Sequence, residues 1–167
     1  MTQDPSVHGD CLSCAVAAGA FPAHVVHETV RFVAFLDADP IRPGHLRIVP
    51  RDHYPHFNAL PPSLASELLH LGQRLAEAQR AVFKAERVGF LFPAGGEPHA
   101  QVEVVPLLSA GDVTARRRGA TNGGGASEAE LAQAARLLQR ELAATEAASR
   151  GRIELPRGAP CELSTIG

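Results

Sequence analysis

The chain of 167 residues has no excess of charge of either sign: 16 Lys and Arg stand against 18 Asp and Glu, for a net charge of −2. A nucleic-acid footprint needs a basic face, so nucleic acid is not an expected partner. Nor is there an apolar run near the roughly 20 residues that span a bilayer, and Met1–Asp10 lacks a signal peptide's apolar core. The expectation is a cytoplasmic protein with no membrane partner. Cysteine is scarce, with three residues, and two of them form Cys11-Leu-Ser-Cys14. An odd count argues against a disulfide framework, and in a reducing compartment the pair reads as a metal or redox pair. No internal repeat is visible. A chain this long buries roughly two thirds of its unfolded surface and needs no covalent staple.

What is present reads as one domain over residues 11–145, with tails at 1–10 and 146–167. Between Ala23 and Asp37, the run Val25, Val26, Val30, Phe32, Val33, Phe35 and Leu36 predicts two strands, with Glu28 and Thr29 as the hairpin turn. Pro40, Pro43 and Gly44 break the chain before a third strand, Leu46-Arg-Ile48-Val49, which Pro50 stops. After Pro61-Pro62, Ser63 is positioned to cap a helix whose stripe is Leu64, Leu68, Leu71, Leu75, Ala78 and Val82. Val88 to Phe92 and Val102 to Val105 are two further strands, and Pro93-Ala-Gly95-Gly96 lies in the loop between them. Ser127 and Glu130 form a capping box ahead of a stripe of Leu131, Ala135, Leu138 and Leu142. The expected architecture is α+β: an antiparallel five-stranded sheet with one long and one shorter helix, covered on one side.

Cys11 and Cys14 have the spacing at which two thiolates reach one tetrahedral zinc ion, with bonds of about 2.3 Å. A thioredoxin-type redox role fits less well, because that motif opens a helix after a strand. Two further ligands are needed, and His45, His53, His56 and His99 border strands or turns.

The segment from Phe35 to His53 contains Asp37, Pro40, Pro43-Gly44-His45, an apolar strand and Pro50-Arg-Asp-His53. It resembles the histidine-triad (HIT) superfamily over roughly residues 11–142. The match is specific because six motif positions keep their spacing across nineteen residues. Zinc-containing members carry an upstream Cys-x-x-Cys, so the resemblance implies a Zn2+ site of Cys11, Cys14, His53 and His99. It also implies a homodimer and a nucleotide or sugar-phosphate ligand, with Asp37 on the ribose hydroxyls and with His45 and Glu103 lining the ligand site.

The triad departs from the family pattern His-x-His-x-His, whose middle histidine is the nucleophile. Here the strand reads His99-Ala-Gln101-Val-Glu103-Val104-Val105-Pro106, so Gln101 stands at the nucleophile position. The glutamate in third place resembles the branch related to galactose-1-phosphate uridylyltransferase, which Gly119-Ala-Thr-Asn122 echoes. An amide nitrogen has a delocalised lone pair and cannot form a phosphoramidate. The reading is therefore a ligand-binding protein without covalent nucleotidyl-histidine catalysis. In a second register, Glu97-Pro98-His99-Ala-Gln101 resembles the His-Pro-His-x-Gln site of that transferase. His99 would then be the nucleophile of an active hydrolase or nucleotidyltransferase acting at the α-phosphate, Gln101 would bind phosphate, and Glu97 would ligate the metal.

Plainer roles stand beside these. Asp37 can cap the turn into Pro40, His45 can be structural, His56 can lie around the metal ligands or face solvent, and His70, between Leu68 and Leu71, can be a boundary or interface residue. Arg116-Arg117-Arg118 reads as a solvated basic run and Cys161 as an unremarkable thiol.

Overall fold

The computed structural model describes residues 11–93, 97–107 and 126–149. The elements run α1 (Leu12–Ala17), β1 (Val25–Glu28), β2 (Phe32–Leu36), β3 (Leu46–Pro50), α2 (Pro62–Phe83), β4 (Arg87–Leu91), β5 (Val102–Leu107) and α3 (Glu128–Ser149). The five strands form one antiparallel sheet in the order β1-β2-β3-β5-β4. Alternation along the strands sorts side chains between its faces. Phe32, Ala34, Leu36, Leu46, Ile48, Val102 and Val104 meet the helical stripe Leu64, Leu68, Leu71, Leu75 and Leu138 in the main core. Val33, Phe35 and Val49 face the other way and pack with Val16 and Ala17 of α1. Both faces of β2 are thus covered, which is why its sequence is apolar at every position.

Several boundaries differ from expectation. The first hairpin turns at Thr29–Arg31, one step later than Glu28–Thr29, because the Thr29 hydroxyl accepts the N–H groups of Arg31 and Phe32. Helix α2 begins at Pro62 with no side-chain cap, so Ser63 lies inside it; a proline in the first turn costs no intrahelical bond. Pro50 and Pro106 belong to their strands. Each sits where only one neighbour remains, Pro50 opposite Phe32 and Pro106 opposite Val88, while the β3–β5 pairing stops at Ile48 and Val104.

Helix α3 has 22 residues, the same length as α2, and runs past residue 145. Its apolar stripe ends at Leu142, but the alanine-rich continuation has high helix propensity, and Glu146 pairs with Arg74 of α2. The capping box is formed: the Ser127 hydroxyl accepts the Glu130 N–H at 3.3 Å, and the Glu130 carboxylate accepts the Ser127 N–H at 2.8 Å. Among the described residues no helix is long and apolar enough to cross a membrane. The tails at 1–10 and 150–167, Arg116–Arg118, Gly119–Asn122, Cys161 and residues 94–96 lie outside the described residues.

Gly44 carries the turn into β3. Its φ is +88°, and a Cβ there would come within 2.1 Å of the Phe83 ring. Only glycine satisfies both the left-handed backbone and the close approach of α2.

Candidate functional site

Two clusters of polar side chains lie around the ends of β3 and the start of β5. In the first, Cys11 is the N-cap of α1 and Cys14 lies one turn further, so both thiols leave the same side of the helix start. His53 follows the end of β3 and His99 precedes β5. Cys11 Sγ lies 3.2 Å from His99 Nδ1, and Cys14 Sγ lies 3.3 Å from His53 Nδ1 and 3.5 Å from His99 Nδ1. One ligand atom from each of the four residues falls within 4.8 Å of the others. Ligands bound to one tetrahedral zinc at about 2.0–2.3 Å lie roughly 3.3–3.8 Å from each other, so the donor set fits such an ion.

The surroundings prepare these donors. His99 Nε2 is 3.0 Å from the Pro50 carbonyl, which assigns the proton to Nε2 and leaves the Nδ1 lone pair toward the sulfurs. The Cys14 N–H points at Cys11 Sγ from 3.4 Å. Burial, with help from the neighbouring Glu97 carboxylate, pushes the Cys11 thiol up to about 12 against the opposing Cys14 N–H. A divalent cation inverts that preference, because a coordinating thiol is deprotonated.

Glu97 lies beside the four donors. Its carboxylate accepts the Ser13 N–H at 2.5 Å, the Ser13 hydroxyl at 2.7 Å and the Cys11 thiol at 3.1 Å. Burial works to raise its carboxyl, but these bonds and the nearby His99 outweigh it and hold Glu97 below the ordinary glutamate value.

The second cluster joins Asp37, just after β2, His45, just before β3, and Glu103, the second residue of β5, all buried. His45 Nδ1 accepts the Ile41 N–H at 3.3 Å, so Nε2 carries the proton, and it faces Glu103 at 3.5 Å. Asp37 accepts the Asp39 N–H at 2.8 Å on Oδ1 and Arg47 Nε at 2.6 Å on Oδ2. The turn-capping role of Asp37 is thus formed. Gln101 lies immediately before β5, two residues from Glu103, and is 7% exposed, with no hydrogen-bond partner on Oε1. His56 and His70 are exposed and belong to neither cluster. A mainly apolar cavity of about 400 Å³ lies between the Pro40–Gly44 loop, Phe83 and the start of α3, and none of the clustered side chains lines it.

A histidine-triad family model, the HIT domain, matches residues 18–105, more than half of the chain. The chain belongs to the HIT domain family.

A HIT-like protein of Saccharolobus solfataricus is 30% identical over 104 residues, which cover 59% of this chain and 75% of that one. An adenosine 5'-monophosphoramidase of Candida albicans is 29% identical over 70 residues, 42% of this chain and less than half, 46%, of that enzyme. In fold, the chain resembles a zinc-bound histidine triad family protein from Mycobacterium smegmatis, with a TM-score of 0.68, 23% identity, and coverage of 83% of this chain and 97% of that one.

Four further residues of the chain brace the two clusters. Arg47 is the cross-strand neighbour of Glu103, a pairing that depends on register and leaves no local trace in sequence. Gln79 of α2 is fully buried and donates Nε2 to the carbonyls of Gly44, at 2.7 Å, and Val104, at 2.8 Å, where β3 and β5 part. A polar residue four positions after Leu75, on the apolar stripe, was its only signal. Arg51, the basic residue of Pro-basic-x-His, ties the Ala17 carbonyl at 2.6 Å to the Thr29 carbonyl at 3.0 Å, and so fixes α1 against the β1–β2 turn. Ser13 is the fourth.

Proposed function

We propose that this HIT protein holds one zinc ion on Cys11, Cys14, His53 and His99, and binds a nucleotide or related phosphorylated small molecule beside it, without a covalent nucleotidyl-histidine intermediate. The observation that carries the reading is the occupancy of both ring nitrogens of His99. Nδ1 faces the two sulfurs and Nε2 faces the Pro50 carbonyl, so neither is presented to a phosphorus atom. Glu97, the metal ligand of the competing register, is held by Ser13. Both facts support the register in which Gln101 occupies the nucleophile position. This register also keeps the third-position glutamate, in line with the branch related to galactose-1-phosphate uridylyltransferase.

Bound zinc would supply structural cross-linking of α1, the end of β3 and the start of β5. The chain's own residues do the rest. Asp37 and Glu103 accept hydrogen bonds, His45 and Arg47 orient those carboxylates, and the unpartnered Gln101 Oε1 accepts a donor from the ligand. The adenosine 5'-monophosphoramidase relative makes nucleoside monophosphates the first ligands to test. A homodimer is part of the proposal, supported by the edge strand β4, in which no residue is fully buried.

Elemental analysis of protein purified without chelator is expected to give about one zinc per chain; absence of metal overturns the metal centre. Intact mass after incubation with a nucleoside phosphoramidate is expected to show no adduct. A nucleotidyl group mapped to His99 would establish the competing register and an active hydrolase or transferase.

A further inference from the structure

We propose that Glu97 is a positioning residue for the metal centre, which holds the Cys11–Cys14 turn against the segment that delivers His99; the proposal rests on the zinc reading above. Glu97 and His99 are two positions apart, and the His99 N–H bonds the Glu97 carbonyl at 2.9 Å, so the segment is tightly turned. One side of this segment places an imidazole among the donors. The other places a carboxylate on Ser13, which lies between the two cysteines.

Helix α1 cannot supply this support itself. It has six residues and no acidic side chain in its first turn, and its N-cap is a cysteine whose sulfur is a weak acceptor 3.4 Å from the Cys14 N–H. A helix of that length is not stable alone. Glu97 brings the missing anion from 84 residues away and takes one of the orphan N–H groups and the Ser13 hydroxyl. The segment is anchored on its far side: the Ala100 N–H bonds the Tyr54 carbonyl at 2.6 Å, and His99 Nε2 meets Pro50. Glu97 therefore connects a rigid strand end to a short helix that carries half of the ligands.

The bond from the Cys11 thiol to Glu97 cannot survive metal binding, because a metal-bound thiolate has no proton to donate. The two bonds from Ser13 do not depend on that proton and persist. Their effect is to build the two-cysteine turn before the ion arrives, so that ordering α1 is not charged against binding. Loss of an outer partner of a metal ligand set commonly weakens affinity by about 10- to 100-fold.

The experiment uses the full-length chain as wild type, Glu97→Gln, Ser13→Ala and the double variant, each loaded with Zn2+ or Co2+. Transfer of zinc to a chromogenic chelator gives the release rate, the Co2+ visible spectrum reports the ligand set, and far-UV circular dichroism checks folding. Glu97→Gln is expected to release zinc about 10- to 100-fold faster with the Co2+ spectrum unchanged. Ser13→Ala is expected to act in the same direction, and the double variant to fall short of the product of the two, because both changes break one contact. Unchanged release in Glu97→Gln overturns the proposal, as does an altered Co2+ spectrum, which would make Glu97 a ligand. A multiplicative double variant means that Glu97 acts through something other than Ser13, and overturns it too. Wild type that takes up no metal defeats the zinc reading and this inference together, whereas loaded wild type indistinguishable from Glu97→Gln defeats the inference alone.

Discussion

Asp37 has two jobs assigned to it, and its two oxygens allow them to be separated. Oδ1 closes the turn through the Asp39 N–H, while Oδ2 holds Arg47. Asparagine can still accept the Asp39 N–H but carries no charge for Arg47 or for a ribose hydroxyl. We expect Asp37→Ala to weaken nucleoside monophosphate binding by at least about tenfold, and to lower stability by roughly 1–3 kcal/mol through the lost charge-assisted bond. If calorimetry shows that Asp37→Asn binds as wild type does, the residue only caps the turn; if it binds as poorly as Asp37→Ala, the carboxylate itself meets the ligand. The candidate residues named from the sequence, Cys11, Cys14, His53 and His99 with Asp37, His45, Gln101 and Glu103, are those whose relations are local spacings or fixed motif steps. Glu97 was legible as a chemical group but not in its place: its bonds to Ser13 span 84 residues, and nothing local distinguishes a metal-binding carboxylate from one that caps a helix.

Periodic elements were readable in proportion to how much of each faces a core. The stripe of α2 and the runs of β2 and β3 are dense in apolar residues, and their positions follow from period alone. The six residues of α1 are too few to show a period, and the end of α3 lies beyond its stripe, so packing and propensity set both. Among the described residues, loop geometry was legible only at Gly44, where Pro-Gly-His announces a turn. The partner that makes the glycine obligatory, Phe83 at the end of α2, comes from a distant part of the chain. Gly44→Ala must accept both a left-handed φ and a Cβ within 2.1 Å of that ring. The expected cost is about 2–4 kcal/mol, summing the backbone penalty and an overpacked contact, read as a shift in the denaturant midpoint. Gly44→Ala combined with Phe83→Leu should recover part of the loss, because the shorter side chain withdraws from the new methyl group. No recovery would place the whole cost in the backbone.

Stability of the whole molecule should fall with acidity, and one contribution can be isolated away from both polar clusters. His27 lies on β1, and burial, followed by the charge of Arg74, keeps its ring below the ordinary value of 6.5, against weaker opposite pulls from Glu146 and Glu28. The sign follows from linkage. As pH falls through about 6.5 the unfolded chain takes up a proton on this residue before the folded chain does, so acid favours unfolding. The contribution is fully present above the unfolded value and is lost as pH drops toward the folded one. The proposed zinc ligands His53 and His99 add a slope of the same sign, since imidazole must be neutral to bind a metal. Comparison with His27→Gln removes that shared part, because His27 belongs to neither cluster. Between about pH 7.5 and about pH 5.5 the melting temperature of the variant should therefore fall less than that of wild type. Parallel curves would show that burial and Arg74 do not hold this ring neutral, and that the acid sensitivity arises at other groups.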